Sequence, residues 1–254
     1  YLAWLREQMA RQNDEEIQMR VETSLRKRFR EKIWCNFTKA VRQYELVKPG
    51  DCIAVCISGG KDSMLASLFF KRYAAENPNV TVRYICMDPG YNAENRKMIE
   101  SNAEKLGIPL DIFETQIFDS VVRIEKSPCY LCARMRRGWL YRKAKEAGCN
   151  KIALGHHFDD VTETVLMSTL YSGQYQTMLP VIDSTNFEGM RLIRPLYLVR
   201  ERDIIRWRDE NGLCFLRCAC RFTEARDAAG DGIGESKRQE MKLLLRQLKK
   251  TNPN

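Results

Sequence analysis

The sequence predicts a doubly wound α/β protein: a parallel sheet with helices on both faces and a helical extension at each end. Three observations predict it. From Gly50 to about Gly173, apolar runs of strand length alternate with stretches of helical pattern, the signature of a parallel sheet covered on both sides. The run CIAVCI at 52–57 passes straight into the glycine-rich SGGKDS at 58–63 and then into a helical run. A later run, KIALG at 151–155, passes into GHHFDD at 155–160. Two polar loops thus sit at strand carboxyl ends, where ligands of such sheets bind.

Taken in order, residues 1–47 are polar and charged, with no glycine or proline, and are expected to be helical. Within them RKRFREK at 26–32 carries five basic residues in seven, which reads either as a solvated helix face or as a contact for a polyanion. Strands are expected at 52–57, 81–87, 110–114 and 151–155, each a short apolar run bounded by turn signals. Helices are expected at 64–73, 95–106, 133–147 and 162–171, with a basic helix over about 236–250. The expected divisions are 1–47 for the N-terminal segment, 48–200 for the α/β domain and 201–254 for a C-terminal part. The sequence has no internal repeat and no low-complexity stretch.

A 44% hydrophobic fraction supports a real core. The net charge of +9 points to a polyanionic partner, nucleic acid first. No stretch approaches the roughly 18 consecutive apolar residues of a membrane span. Ten cysteines without a secretory context predict reduced thiols used for metal or catalysis, and a cytoplasmic location.

The loops supply the chemistry. A glycine-rich loop at a helix N-terminus points backbone N–H groups and the helix dipole at one spot, which binds phosphate. Lys61 adds a point charge, and Ser58 and Ser63 add hydroxyl donors. The spacing is not that of a Walker loop, which has four residues between its first glycine and the Gly-Lys pair. MDPG at 87–90 ends the second strand, placing Met87 to meet a nucleoside. GHHFDD holds both histidines of the chain, His156 and His157. Its Asp159 or Asp160 can cap the following helix, or the carboxylates can hold Mg²⁺ together with substrate phosphates. Cys129 and Cys132 form a CxxC at the start of an arginine-rich helix, and Cys218-Ala219-Cys220 lies far downstream. Three thiolates suit an iron–sulfur cluster with one iron open. Cys52, Cys56 and Cys86 fall inside apolar strands as small buried hydrophobes.

SGGKDS is the signature of the PP-loop ATP pyrophosphatases. Together with CYLCARMRRGWLY, KIALGHHFDD, LYSG and IRPL, it resembles the tRNA 2-thiocytidine synthetases over roughly residues 26–250. The resemblance implies a PP-loop ATP-binding fold, ATP, Mg²⁺, a 4Fe–4S cluster, tRNA as substrate, and thiolation of the anticodon-loop cytidine at position 32. Carried onto this sequence, it makes Ser58, Gly59, Gly60, Lys61, Asp62, Ser63, Met87, Gly155 and His156 the ATP site. Asp62 and Asp160 would hold Mg²⁺, and Lys61, Asp62, Arg136 and Asp160 would be catalytic. Cys129, Cys132 and Cys218 would hold the cluster, with Cys220 the alternative. The family usually shows a second CxxC where this chain has CAC, and other residues where it has MDPGY.

The implied chemistry is coherent. A pyrimidine carbonyl oxygen is a poor leaving group; transfer of AMP onto it, with loss of pyrophosphate, makes it a good one. Such a transfer is mostly positioning and charge neutralisation. Sulfide held at the open iron would then displace AMP, with Arg136 steadying the adenylated base. The N-terminal basic stretch, the arginine-rich helix and Lys237, Arg238, Lys242 and Arg246 would follow tRNA phosphates. A sulfur donor such as a cysteine desulfurase is implied, no membrane is, and there is room for a homodimer. The alternatives are another PP-loop tRNA modification, thiouridine or lysidine synthesis, and a non-catalytic nucleic-acid-binding module.

Overall fold

The computed structural model describes residues 2–118, 128–216 and 237–252, without the side chains of 2–7, 10 and 128–130. Helix α1 (Leu2–Arg26), a π-helical turn (Arg30–Trp34) and helix α2 (Cys35–Gln43) precede the sheet. Then follow β1 (Cys52–Ile57), α3 (Lys61–Glu76), β2 (Thr81–Asp88), α4 (Ala93–Lys105) and β3 (Leu110–Glu114). The second half runs α5 (Pro128–Glu146), β4 (Lys151–Ala153), α6 (Phe158–Ser172), β5 (Val181–Asp183) and β6 (Arg191–Ile193). Helices α7 (Glu201–Glu210) and α8 (Lys237–Thr251) follow.

The six strands lie in the order β3-β2-β1-β4-β6-β5. All neighbours pair in parallel except β5, which runs antiparallel to β6. The doubly wound expectation holds, with one correction: the sheet is mixed, because a short hairpin of two three-residue strands closes one edge. Strand order turns at β1 and β4, so their carboxyl ends border the crevice.

β1 is apolar on every residue because both its faces are covered. Ile53, Val55 and Ile57 enter a large core with Phe37, Phe69, Phe70 and Trp207, while Ala54 and Cys56 face Tyr141 and Ala144 of α5. Cys56 and Cys86 are buried as expected, whereas Cys52 is half-buried with its Sγ 3.1 Å from Cys149 Sγ.

The N-terminal segment contributes to that large core. Val21, Leu25, Phe29, Ile33, Phe37 and Val41 are all buried, a strict spacing of four. On an α-helix of 3.6 residues per turn, that spacing drifts by about 40° each step. The π turn absorbs part of the drift, with Trp34 N–H bonding Phe29 O at 3.4 Å. The basic residues between these positions, Arg26, Lys27, Arg28, Arg30 and Lys32, stay exposed.

At the amino end of the sheet lies a closed polar network. Lys151, 3% exposed, donates from Nζ to Asp51 Oδ2 and to Leu46 O at 2.9 Å. Asp51 also accepts from Lys48 N at 2.6 Å and from Asn150 Nδ2 at 2.8 Å. Burial acts to raise the Asp51 pKa, but Lys151 and the two N–H donors outweigh it and hold it below the usual range.

Candidate functional site

The loop after β1 is shaped by its glycines. Gly59 adopts φ +81°, and a Cβ there would meet Ile99 Cγ1 at 2.6 Å and Leu216 Cδ1 at 2.9 Å. Gly60 is the N-cap of α3 and has no side chain to cap it, so the helix offers its first-turn amides outward. Ser63 Oγ donates to Gly60 O at 2.9 Å and accepts from Ser58 N at 3.2 Å. The serine hydroxyls therefore brace the loop, a role beyond the donor role expected of them.

Lys61 Nζ lies 3.0 Å from Asp62 Oδ2 and 3.2 Å from Glu201 Oε1. Burial acts to lower its pKa, but the two carboxylates more than offset this and raise it. Burial raises the Asp62 pKa against the pull of Lys61 and His157. Asp62 Oδ1 is buried with no hydrogen-bond partner, and stands 4.0 Å from His157 Nε2.

The loop after β4 is pressed against this one. A Cβ on Gly155 would lie 2.9 Å from both Asp62 C and Ser63 N, so only glycine permits the approach. His157 caps α6: its Nδ1 accepts from Asp160 N at 3.3 Å while Asp160 Oδ2 accepts from His157 N at 3.0 Å, a reciprocal capping box. Asp160 Oδ1 accepts from Arg238 Nη1 at 2.8 Å. Both Asp160 oxygens thus accept hydrogen bonds within the site. Asp159 accepts from Glu201 N at 2.7 Å. His156 is held down to about 4 by burial, against the pull of Asp160, and its Nδ1 has no partner.

Between the loops and α5 lies a cleft of about 370 Å³. Ser58, Asp62, Ser63, Met87, Arg136, Gly155, His156 and Asp160 all line it. Sequence reasoning therefore names eight residues that the fold brings to one place. Lys61 instead points to Glu201. Cys132 is buried with Met87, Ile117 and Phe118, one turn before Arg136 on α5. The Cys129 side chain, Cys218 and Cys220 lie outside the described residues. In the MDPGY turn, Asp88 Oδ1 accepts from Gly90 N at 2.9 Å and Tyr91 N at 2.7 Å, tying the turn.

Three residues were not singled out as site residues in the sequence: Glu201, Arg137 and Arg194. Glu201 binds Lys61 and Lys242, each at 3.2 Å. Burial acts to raise its pKa, but Lys61, Lys242 and His157 hold it down at about 2. Arg238 and Lys242, expected at tRNA phosphates, turn inward to Asp160, Glu163 and Glu201. Arg137 lines the cleft, and IRPL contains the buried Arg194.

A family model described as the PP-loop domain matches residues 29–219. A tRNA-cytidine(32) 2-sulfurtransferase of Geobacter sulfurreducens is 35% identical over 223 residues, 85% of this chain and 82% of its own length. One from Neisseria meningitidis serogroup A is 38% identical over 186 residues, 70% of this chain. The chain spans 57% of that neisserial relative's length. Among solved structures, the U34-tRNA thiolase NcsA from Methanococcus maripaludis, with its 4Fe–4S cluster, aligns with a TM-score of 0.67 at 22% identity. The alignment covers 86% of this chain and 72% of that one, a likeness of fold.

Proposed function

The chain belongs to the PP-loop family and, within it, to the family of the tRNA-cytidine(32) 2-sulfurtransferases, and from that premise we propose that it is an ATP-dependent tRNA sulfurtransferase converting cytidine 32 to 2-thiocytidine. The observation that carries the reading is the single cleft in which the β1 loop, the β4 loop and Arg136 of the CxxC helix converge.

The cytidine carbonyl oxygen attacks the α-phosphorus of ATP, and pyrophosphate leaves. The first-turn amides of α3 and Lys61 receive the pyrophosphate charge. Lys61 leaves Glu201 to do so, and Glu201 keeps Lys242 as its partner. The partnerless Asp62 Oδ1 suits Mg²⁺, which takes one or two carboxylates and completes its shell with phosphate oxygens and water. Among the described residues no three His, Cys, Asp or Glu side chains form a metal-holding group. Asp160 acts by fixing His157 and the loop. Gly155, His156 and Met87 border the nucleotide, and Arg136 steadies the adenylated base.

Cys132 sits buried beside Met87, which lines the cleft, and its thiolate with those of Cys129 and Cys218 suits a 4Fe–4S cluster. When bound, the cluster would supply an open iron that holds sulfur for displacement of AMP. A cysteine desulfurase is the expected sulfur source, the exposed basic residues of 26–32 the expected RNA contact, and a homodimer an expected assembly.

Two measurements test this. Nucleosides from tRNA of a strain lacking the gene should contain no 2-thiocytidine by mass spectrometry; its persistence would sink the assignment. Anaerobically prepared Cys218→Ala protein should lose iron and keep ATP binding, while Cys220→Ala keeps both. The reverse pattern reassigns the third ligand, and zinc in the wild-type protein removes the cluster.

A further inference from the structure

Beside the cleft, between α5 and the β5–β6 hairpin, lies a second cavity of about 500 Å³. Ala133 and Arg137 line both spaces, so Arg137 stands at their junction. The charged residues around the second cavity are Arg134, Arg137, Arg194 and Asp183. Asp183 is already engaged, accepting from Arg191 Nε at 2.6 Å. Among the described residues no carboxylate forms an ion pair with any of the three lining arginines.

Arg194 is the unusual member. It is 6% exposed, directly after β6, and its Nη1 donates to the Leu179 carbonyl. Its buried Nε has no acceptor. Burial, and then the neighbouring Arg137 charge, lower its pKa to about 10, so it remains a cation at neutral pH. A buried guanidinium facing a second one, with one carbonyl as its bonded acceptor, is a costly arrangement without an anion. Guanidinium forks match phosphate oxygens bidentately.

We infer that Arg137 and Arg194 form a phosphate subsite that receives a backbone phosphodiester of the RNA beside the nucleotide held in the cleft. The assignment to RNA rests on the proposed function; the anion subsite rests on the cavity itself. Its position fits, since a base entering the cleft carries its sugar–phosphate past the junction. The chemistry has a second possible source, an ATP phosphate, and the experiment separates the two.

Binding of tRNA is measured by fluorescence anisotropy across a salt series for wild type, Arg137→Ala, Arg137→Lys and Arg194→Gln. Binding of a non-hydrolysable ATP analogue is measured by calorimetry on the same proteins. Arg137 is exposed, so its variants keep the test alive should Arg194→Gln fail to fold. The expected result is tRNA binding weakened about tenfold in Arg137→Ala, with the salt slope reduced by about 0.7 for one lost phosphate contact. Arg137→Lys should restore the slope, and analogue binding should stay at the wild-type level throughout. Weakened analogue binding with an unchanged tRNA slope moves the phosphate to the nucleotide and overturns the RNA assignment. Wild-type tRNA affinity and slope in every folded variant overturn the inference while leaving the proposed function standing. A wild-type protein that binds no tRNA overturns both.

Discussion

The two ends of the sheet use buried charge in opposite ways. At the amino end Lys151, Asp51, Asn150 and Lys48 N–H close on one another, leaving no polar group of the cluster idle. At the carboxyl end Asp62 Oδ1, His156 Nδ1 and Arg194 Nε are buried without partners. Asp51 is held below the usual carboxylate range and Asp62 is pushed above it. A satisfied network fixes the fold, and an unsatisfied one reserves directional bonds for a ligand. The difference is therefore one of purpose, stability against recognition.

The largest effect should come from opening the closed end. Lys151→Met leaves Asp51 buried without its cation, which should cost about 3–5 kcal/mol in urea unfolding. A loss below about 1 kcal/mol would erase the distinction. The complementary change, Lys61→Ala, should lower tRNA-dependent pyrophosphate release by about 10² to 10³, equivalent to about 2.7–4 kcal/mol of barrier, with little change in the unfolding midpoint. Release near the wild-type rate would remove Lys61 from the reaction. Next comes Gly155→Ala, whose methyl meets backbone that cannot swing aside; about 1–3 kcal/mol should be lost, with weaker ATP binding. Unchanged stability would show the two loops to be less closely packed than drawn.

The smallest effect is a slope. His156 has its pKa lowered from 6.5 to about 4, so its stability is fully present above about pH 6.5 and falls as pH drops towards 4. Asp51, also lowered, gives stability that is present above the ordinary carboxylate value near 3.8 and lost below it. Asp62 has the opposite sign: its raised pKa means stability falls as pH rises from the ordinary value through the raised one. Unfolding of His156→Gln should accordingly lose the rise in stability between about pH 4 and 6.5, leaving the opposing fall set by Asp62 and the acid limb set by Asp51. Retention of the upper limb would place the charge-sensitive group elsewhere.

Legibility followed range. β1 and β3 were readable to the residue, β1 because a strand covered on both faces is a local apolar run and β3 because turn signals bound its short run. β5 and β6 were not, since three residues are too few to show a period and their hairpin pairs across a loop. SGGKDS and GHHFDD announced the site through local chemistry. Glu201 did not, because its bonds to Lys61 and Lys242 join distant segments, and a lone glutamate at a helix start looks like any first-turn acid. The capping role open to Asp160 in the sequence is met as the third residue of a helix that begins at Phe158, with His157 as the cap itself, earlier than the apolar pattern indicates. The apolar residues at 21, 25, 29, 33, 37 and 41 were visible in the N-terminal segment, yet charge between them masked the stripe.

Gly155 carries a last consequence. With its Cα against the Asp62–Ser63 peptide, the two loops are one solid corner although they come from opposite halves of the domain. Neither can be ordered separately, so the conformational entropy of assembling the corner is settled when the chain folds. An incoming nucleotide meets a finished mould, and its binding energy is left for orienting the reacting atoms.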